Sequence, residues 1–227
     1  DTHFPYHDKK ALTTAINYKD NIDTIILLGD MMDFYSLSSF AKNPNLPGIR
    51  DELKICREFL TYLRSKFRNA QIIYYEGNHE IRLARYIFQH APAIAGLETM
   101  LFKTELDFHN LSIQFVENGT CLKVGSLHLL HGNEAGCRGG INIARTMLLK
   151  TNDNCAFGNF HKTQSHSGRD LDGGEFVNFA IGCLCGLKPR YLPINQWNLG
   201  FATVDLYKNE FDFQNKRILA NYNVRSN

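Results

Sequence analysis

Two short apolar runs predict strands of a parallel sheet in the first half of the chain. Thr24–Leu28 and Gln71–Tyr75 are rich in β-branched and aromatic residues, and each is followed closely by a glycine and a polar residue. Such uninterrupted runs are typical of strands buried on both faces. Between them, residues 51–67 repeat apolar positions at three- and four-residue steps and predict an amphipathic helix. Strands that alternate with helices indicate an α/β fold.

The remaining elements are predicted by the same periodicities. Further helices are predicted at residues 8–18, 81–89 and 141–150. Further strands are predicted at residues 112–116, 121–124, 126–130, 155–158, 176–180, 201–206, 210–214 and 216–219. Asn118-Gly119 is typical of a hairpin turn, while Gly125 and Asn209 indicate two more turns. Residues 36–48, which contain two prolines, predict a long loop, and long loops in compact domains tend to be functional.

The sequence contains no repeat and no linker, so we expect a single domain over residues 1–227. Asp1-Thr2-His3 has the pattern of a strand's carboxyl end without the strand itself. We therefore expect a first strand upstream of residue 1, outside this sequence; the alternative is that the protein begins here.

The charge balance narrows the classes of partner. The chain has 25 Lys and Arg against 23 Asp and Glu, which gives a net charge of +2. Such a surface attracts nucleic acid or anionic lipid only weakly without specific contacts. No apolar run approaches the ~18 residues of a membrane span, so we expect a cytoplasmic protein without membrane contact.

Six cysteines without a CxxC pair are typical of reduced thiols, most of them in the core.

Carboxylate, amide and imidazole residues recur where the predicted strands end. In α/β sheets, functional groups gather at the carboxyl ends of the strands. Such a mixed ligand set fits two adjacent divalent metals of the Mn, Fe or Zn type, since a carboxylate can bridge them. The residues are Asp1, His3, Asp30, Asn78, His79, His131 and His161.

Five short motifs, in this order, resemble those of the calcineurin-like metallophosphoesterase superfamily. They are Asp1-Thr2-His3, Gly29-Asp30-Met31-Met32-Asp33, Gly77-Asn78-His79-Glu80, His131-Gly132 and Gly158-Asn159-Phe160-His161. The family pattern is DxH, GDxxD, GNH(D/E), H and GHxH, so four of the five blocks match at their functional positions. The resemblance implies a four-layer α/β/β/α sandwich in which two mixed sheets are flanked by helices.

A narrower resemblance is to compact bacterial and phage phosphoesterases, which would place a phage-encoded protein in the host cytoplasm. It rests on residues 1–5 with Asp8, on residues 77–83, and on the segment Trp197-Asn198-Leu199-Gly200-Phe201. The protein Ser/Thr phosphatases carry Arg-Gly after the second aspartate of the GDxxD motif. Phe34-Tyr35 follows Asp33 here, which argues against that branch.

The resemblance implies two divalent metal ions, Mn foremost, with Fe, Zn, Ni or Co as alternatives. The implied ligands of one metal are Asp1, His3, Asp30 and His161. Asp30 would bridge to a second metal, completed by Asn78, His131 and Asn159. A hydroxide that bridges the two metals would attack phosphorus.

The resemblance also implies catalytic roles for His79 and Asp33. His79 would protonate the leaving oxygen or steady the transition state, and Asp33 would orient its imidazole. Asn78, Arg82 and Arg138 are candidates for binding the substrate phosphate, although a surface position is the ordinary alternative for both arginines. Glu80 is interpreted as an acid at a helix N-terminus rather than a ligand.

Position 159 departs from the family, because Asn159 stands where the last motif has histidine. An amide oxygen is a weaker donor than imidazole for Zn, Fe or Mn. Three explanations stay open: an engineered inactivating substitution, a natural variant with a weaker second metal, or a degenerate enzyme that binds without turnover.

The function expected from these observations is hydrolysis of a phosphodiester of a nucleotide or nucleic acid. One alternative is a phosphomonoesterase acting on a small metabolite or phosphoprotein, which the balanced charge mildly favours; another is a binding protein impaired at Asn159. An enzyme that acts on nucleic acid predicts a basic rim and stacking aromatic residues. Residues 36–48 and 133–140 are where we expect substrate selection. The sequence does not indicate an oligomeric state.

Overall fold

The structure is a computed structural model that describes residues 1–137, 139–208 and 210–226. Arg138, a candidate substrate contact, and Asn209, a predicted turn residue, lie outside these residues. The chain divides into two compact units. The N-terminal unit contains Thr2–Tyr6 and Lys19–Asn118, and the C-terminal unit contains Asp1, His7–Tyr18 and Gly119–Asn227. The single domain over residues 1–227 stays a prediction.

Helices and strands together account for about half of the described residues. The helices are α1 (Lys9–Ile16), α2 (Ile49–Lys66), α3 (Ile81–His90), α4 (Glu98–Glu105) and α5 (Ile143–Thr151), with short 3₁₀ helices at Tyr35–Leu37 and Pro92–Ile94. The first strands are β1 (Thr24–Leu28), β2 (Gln71–Tyr75), β3 (Ile113–Val116), β4 (Leu122–Val124), β5 (Leu127–Leu130) and β6 (Cys155–Phe157). The later strands are β7 (Gln164–Arg169), β8 (Glu175–Ala180), β9 (Gly200–Tyr207), β10 (Glu210–Ile218) and β11 (Val224–Ser226).

The N-terminal unit is built on a parallel sheet with the strand order β1-β2-β3. Leu28 at the end of β1 lies opposite Tyr75 at the end of β2, so the loops that follow both strands leave the same edge of the sheet. Tyr74 is fully buried and its ring contacts Phe102 and Phe108, with centroid distances of 5.7 and 5.2 Å. This aromatic core fixes the sheet edge from which the loops that carry the second and third motifs depart.

The C-terminal unit contains two sheets. One is mixed, with the order β4-β5-β6-β8-β7, in which β5, β6 and β8 are parallel and the outer strands antiparallel. The other is antiparallel, with the order β11-β10-β9. Helix α5 packs on β7 and β8, and its buried Ile143 and Met147 lie in one cluster with Phe157. The parallel pairing of β5 and β6 brings the residues after Leu130 and Phe157 to one edge.

The predicted α/β class is confirmed, and the combination of parallel, mixed and antiparallel sheets with helices is consistent with a sandwich. The hairpin predicted at Asn118-Gly119 is wrong: β3 pairs with β2, whereas β4 pairs with β5 across Gly125, whose φ is 62°. The two strands predicted at residues 210–214 and 216–219 form the single strand β10. The elements α4, β7 and β11 were not predicted. Strand β7 is polar along its length, so it lacks the apolar run on which strand prediction depends.

Most of the cysteines lie in the core, as the sequence predicted. All six cysteines are free thiols, and Cys56, Cys155, Cys183 and Cys185 are buried. In the described part of the chain, no helix has both the length and the apolar character needed to span a membrane.

Candidate functional site

The N-terminal unit brings five of the predicted site residues together, beginning with His3 and Asp30 and continuing with Asp33, His79 and Arg82. Asp30 follows β1, and the backbone N–H groups of Thr2 and His3 both donate to its carbonyl oxygen, at 2.9 and 3.0 Å. Phe4 then donates to the carbonyl of Met31 at 2.8 Å. The first residues therefore run alongside the loop after β1 and hold the His3 imidazole against the Asp30 carboxylate.

The spacing of the side-chain atoms around Asp30 is that of metal ligands. His3 Nε2 lies 3.7 Å and His79 Nε2 lies 3.8 Å from Asp30 Oδ2. One donor atom from each of these three residues falls within 4.8 Å of the others. Two ligands that bind the same cation at about 2.1 Å with a tetrahedral angle are about 3.4 Å apart. His3 and Asp30 are thus too far apart for a strong hydrogen bond but well spaced for a shared divalent ion.

Asp33 contacts both imidazoles. Its Oδ1 lies 3.0 Å from His3 Nδ1 and 3.3 Å from His79 Nδ1. Burial alone would raise the pKa of Asp33, but the hydrogen bonds with His3 and His79 outweigh burial and hold this pKa below its usual range. A carboxylate at Nδ1 fixes the tautomer of an imidazole and leaves Nε2 available. The structure therefore brings Asp33 to His79, as predicted, and also to His3, which the sequence did not indicate.

The ring of His79 is held on both sides. Its Nδ1 lies 2.8 Å from the Asp33 carbonyl oxygen, and Arg82 donates to the same oxygen at 2.8 Å. Arg82 Nη2 lies 3.0 Å from His79 Nε2. Burial lowers the pKa of His79, but the charge of Asp30 and the hydrogen bond that the imidazole donates to Asp33 raise it above its usual value. Asn78 precedes His79 in the turn between β2 and α3 and is half-buried.

The C-terminal unit holds a second carboxylate–imidazole pair. Asp1 Oδ1 lies 3.4 Å from His161 Nε2, the separation of two ligands on one tetrahedral metal. The backbone N–H of Asn159 donates to Asp1 Oδ2 at 2.8 Å. Both side chains of the pair are almost completely buried, with 2% of Asp1 and 6% of His161 exposed. Position 159 thus contacts the Asp1 carboxylate through its backbone, whichever side chain it carries.

His131 is the fully buried residue that follows β5. Its carbonyl oxygen accepts from the N–H of Gly158 at 2.8 Å, which ties the end of β5 to the end of β6. The carboxylate of Glu134 accepts from the N–H of His131 at 3.0 Å and from that of Gly132 at 2.6 Å. These contacts fix the backbone of His131 beside the Gly158–His161 segment.

Comparison with known proteins identifies the family. The family model described as calcineurin-like phosphoesterase matches residues 1–176. The chain belongs to the calcineurin-like phosphoesterase family. Among curated relatives, the gene 54 protein of Mycobacterium phage L5 is 27% identical over 224 residues, covering 90% of this chain and 87% of its own. The gene 54 protein of Mycobacterium phage D29 is 26% identical over 145 residues, covering 61% and 56%.

Two solved structures that are similar to this chain come from Entamoeba histolytica. Wild-type Vps29 in complex with Zn²⁺ is 15% identical, with a TM-score of 0.39, covering 89% of this chain and 94% of that one. A single mutant of Vps29 is 13% identical, with a TM-score of 0.38, covering 90% and 96%. Membership of the calcineurin-like phosphoesterase family itself supports metal-dependent hydrolysis of phosphate esters as the class of activity.

Four predicted ligands of this family member have a left-handed backbone. His3, Asp30, Asn159 and His161 have φ angles of 51°, 49°, 59° and 57°. Residues other than glycine rarely adopt such angles. Each residue in this conformation costs about 1–3 kcal/mol and persists only where the surrounding structure imposes the angle. The backbone hydrogen bonds around Asp30 and Asn159 supply that constraint, so the strain lies where the family motifs place the chemistry.

Two motif glycines provide space for carboxylates. A Cβ atom on Gly77 would lie 2.2 Å from both the backbone N and the Oδ1 of Asp30. A Cβ atom on Gly158 would lie 2.5 Å from Oδ2 of Asp1. Neither glycine has a positive φ, so it is the missing side chain rather than backbone freedom that these family positions require.

Glu80 has a larger role than an acid at a helix N-terminus. It occupies the N-cap position of α3, yet its buried carboxylate turns back to the loop after β1. It accepts from the N–H groups of Asp30, Met31 and Gly77 at 3.0, 2.8 and 2.9 Å. The sequence could not indicate the contacts with Asp30 and Met31, because these join residues about fifty positions apart.

Two further residues that the sequence reasoning did not assign lie against His161. The Trp197 ring packs edge-on at a centroid distance of 4.1 Å, and Cys185 Sγ lies 4.0 Å from Nδ1 of His161. The available signals were that Trp197 is the chain's single tryptophan and that Cys185 belongs to a Cys-x-Cys pair. Neither signal specifies a neighbour.

Proposed function

We propose that this protein hydrolyses a phosphodiester of a nucleotide or nucleic acid, with two divalent metal ions as cofactors. The observation that carries the proposal is the pair of buried carboxylate–imidazole contacts at ligand spacing. They are Asp30 with His3 at 3.7 Å and Asp1 with His161 at 3.4 Å. All four residues belong to motifs of the family.

The donor set fits divalent metals of intermediate hardness. Following the order of the family motifs, Asp1, His3, Asp30 and His161 would hold one metal. Asp30 would also serve the second, together with Asn78, His131 and Asn159. Carboxylate and imidazole donors suit Mn, Fe and Zn, and Mn is the metal we would supply first. When bound, such a pair acidifies water and neutralises phosphoryl charge.

His79 supplies the proton in this proposal. Asp33 holds Nδ1 of its ring, so Nε2, against which Arg82 lies in this structure, is the atom that would exchange a proton with the leaving oxygen. The guanidinium of Arg82 lies 3.0 Å from Nε2 and adds positive charge where the substrate's oxygen would come. Arg82 is therefore the arginine we assign to substrate binding, with Asn78 as its neighbour in the motif.

The choice of a nucleotide or nucleic acid as substrate is supported by what surrounds His161. A basic rim with stacking aromatic rings is what an enzyme acting on nucleotides requires. Trp197 lies against His161 and Tyr191 against Trp197, with Lys162 next in sequence to His161. A phosphomonoesterase for small metabolites has no need of such rings.

The test is metal content and hydrolysis measured together. Protein loaded with Mn should contain two metals per chain and should hydrolyse methyl p-nitrophenyl phosphate, a diester, at least about tenfold faster than p-nitrophenyl phosphate, a monoester. Asp30→Asn should lose metal and activity, whereas Asp172→Asn, at an exposed turn, should lose neither. Folded protein that takes up no metal would overturn the proposal, and a preference for the monoester would overturn the choice of a diester.

A further inference from the structure

An aromatic corner adjoins His161 in the C-terminal unit. The Trp197 and His161 rings are 4.1 Å apart and inclined at 74°, and the Tyr191 ring lies 6.4 Å from that of Trp197, inclined at 65°. Tyr191 is 74% exposed, so one side of the corner faces solvent. The three rings lead from a candidate metal ligand outward to the surface.

The segment that carries the corner is held by two asparagines. Asn195 Nδ2 donates to the carbonyls of Leu187 and Leu192 at 2.8 and 2.9 Å, and its Oδ1 accepts from the N–H of Trp197 at 2.9 Å. The second asparagine, next to Trp197, couples the corner to the site. The backbone of Asn198 donates to the carbonyl of His161 at 2.9 Å. The rings are therefore preorganised relative to His161.

The surroundings of the corner carry positive charge. Residues 181–199 contain Lys188 and Arg190, both exposed, and no acidic residue. Lys162 Nζ donates to the carbonyl of Gly140 at 2.8 Å and to Gln196 Oε1 at 3.0 Å, which holds a cation at the residue that precedes Trp197. Aromatic faces beside cations are the combination that binds single nucleotides, because bases stack on the rings and phosphates pair with the cations.

We propose that Trp197 and Tyr191 form a nucleobase subsite, which binds the base of a phosphate ester whose phosphate is held at the site of His161. The inference rests on the proposed function and narrows its substrate to esters that carry an unpaired nucleoside. A base within a duplex has both faces covered by its neighbours and does not fit a corner of two rings. Every base can stack on an aromatic ring, so the subsite would bind a nucleoside without discriminating between the bases.

A purely structural role explains the position of Trp197 but not that of Tyr191. Of the two rings, Trp197 is the one that packs against His161. Tyr191, with 74% of its surface in water, adds little buried area, yet Asn195 organises the loop that holds it against Trp197. A ring held at the surface against Trp197, which itself contacts a candidate metal ligand, is suited to contact a substrate.

Trp197 makes binding directly observable without turnover, since it is the protein's only tryptophan. In metal-free protein, thymidine 5′-monophosphate should quench the tryptophan fluorescence saturably after correction for absorption. Ribose 5-phosphate and inorganic phosphate, which lack a base, should leave it unchanged. Equal quenching by all three compounds, or quenching by none, would overturn the subsite. A tighter, salt-dependent titration with oligothymidylate would identify a single strand as the source of the base, and equal affinities would identify the mononucleotide.

Variants at position 191 test the second ring. Tyr191→Ala should weaken the binding of thymidine 5′-monophosphate about tenfold, within the range measured for loss of one stacking ring, while Tyr191→Phe should retain it. The matched control is Tyr207→Ala, an exposed tyrosine at the far end of β9. Equal affinities of Tyr191→Ala and Tyr207→Ala would remove Tyr191 from the subsite.

A kinetic comparison separates the subsite from the proposed function. With Mn, the p-nitrophenyl ester of thymidine 5′-monophosphate and methyl p-nitrophenyl phosphate share a leaving group and differ only in the nucleoside. Tyr191→Ala should lower kcat/KM about tenfold for the first ester and leave the second unchanged. Hydrolysis of the methyl ester without nucleotide quenching would overturn the subsite alone. Quenching without hydrolysis of either ester would support the subsite and overturn the proposed function.

Discussion

The carboxylate of Glu80 accepts the backbone N–H of Asp30 at 3.0 Å. The donor is the residue that carries the central carboxylate of the candidate metal site, and the acceptor begins the helix after the GNHE motif. The same carboxylate also accepts from Met31 and Met32, at 2.8 and 3.1 Å. One buried charge therefore sets the path of the loop from which Asp30 and Asp33 project.

Glu80→Gln should destabilise the fold by about 2 kcal/mol or more, because an amide group turns an N–H donor towards backbone donors and leaves them unpaired. Urea unfolding measures this loss, with the exposed Glu58→Gln on α2 as the control. The variant should also bind Mn more weakly, since Asp30 loses its anchor. Unchanged stability would mean that the loop holds its shape without Glu80.

Asp33→Asn should lower kcat, measured at saturating Mn, about 10- to 100-fold, the range found when a partner of a functional imidazole is removed. The amide lacks the charge that faces Nδ1 of both His3 and His79. Metal analysis and steady-state kinetics with Mn are the measurements, and Asp172→Asn is the control. Full kcat in Asp33→Asn would contradict an orienting role.

Asn159→His should tighten binding of the second metal about tenfold or more, because imidazole is the stronger donor for Mn, Fe and Zn. Histidine tolerates the φ of 59° at this position better than most residues. Metal per chain at limiting Mn is the measurement. Asn159→Gly serves as the control, since it keeps the N–H that Asp1 accepts and removes the donor side chain. Equal metal content and activity in the histidine variant and the original chain would contradict the prediction.

Glu52 should make stability depend on pH. It is fully buried in the first turn of α2, where it accepts from the N–H of Phe34 at 2.5 Å. Burial raises its pKa from 4.5 to about 8. The folded protein thus holds this proton more tightly than the unfolded chain does. The resulting stabilisation is complete below about pH 4.5 and is lost as the pH rises towards 8.

Glu52→Gln keeps an acceptor for Phe34 and removes the ionisation. The variant should therefore be more stable than the original chain above pH 8 and should lose the decline between pH 4.5 and 8. The measurement is the urea midpoint of unfolding of both proteins at several pH values across this interval. Parallel pH profiles for the two proteins would show that Glu52 is ionised in the folded state without cost.

The sequence predicted most strands of the parallel core, because burial on both faces leaves a continuous apolar run, as in β1 and β2. It also predicted which residues follow those strands, since the motifs are local. It did not indicate the contact of Asp33 with His3 or the packing of Trp197 on His161. The first joins residues thirty positions apart. The second depends on a loop shaped by hydrogen bonds of Asn195 and Asn198, for which no periodic pattern exists.

The two crowded glycines also bear on how relatives of this protein are to be compared. At positions 77 and 158, even a methyl group would displace Asp30 or Asp1 from where it now lies. A related chain that retains both aspartates but has lost either glycine has therefore lost the position of the carboxylate. The smallest residues of the motifs are thus as necessary to the geometry of the candidate metal site as the carboxylates themselves.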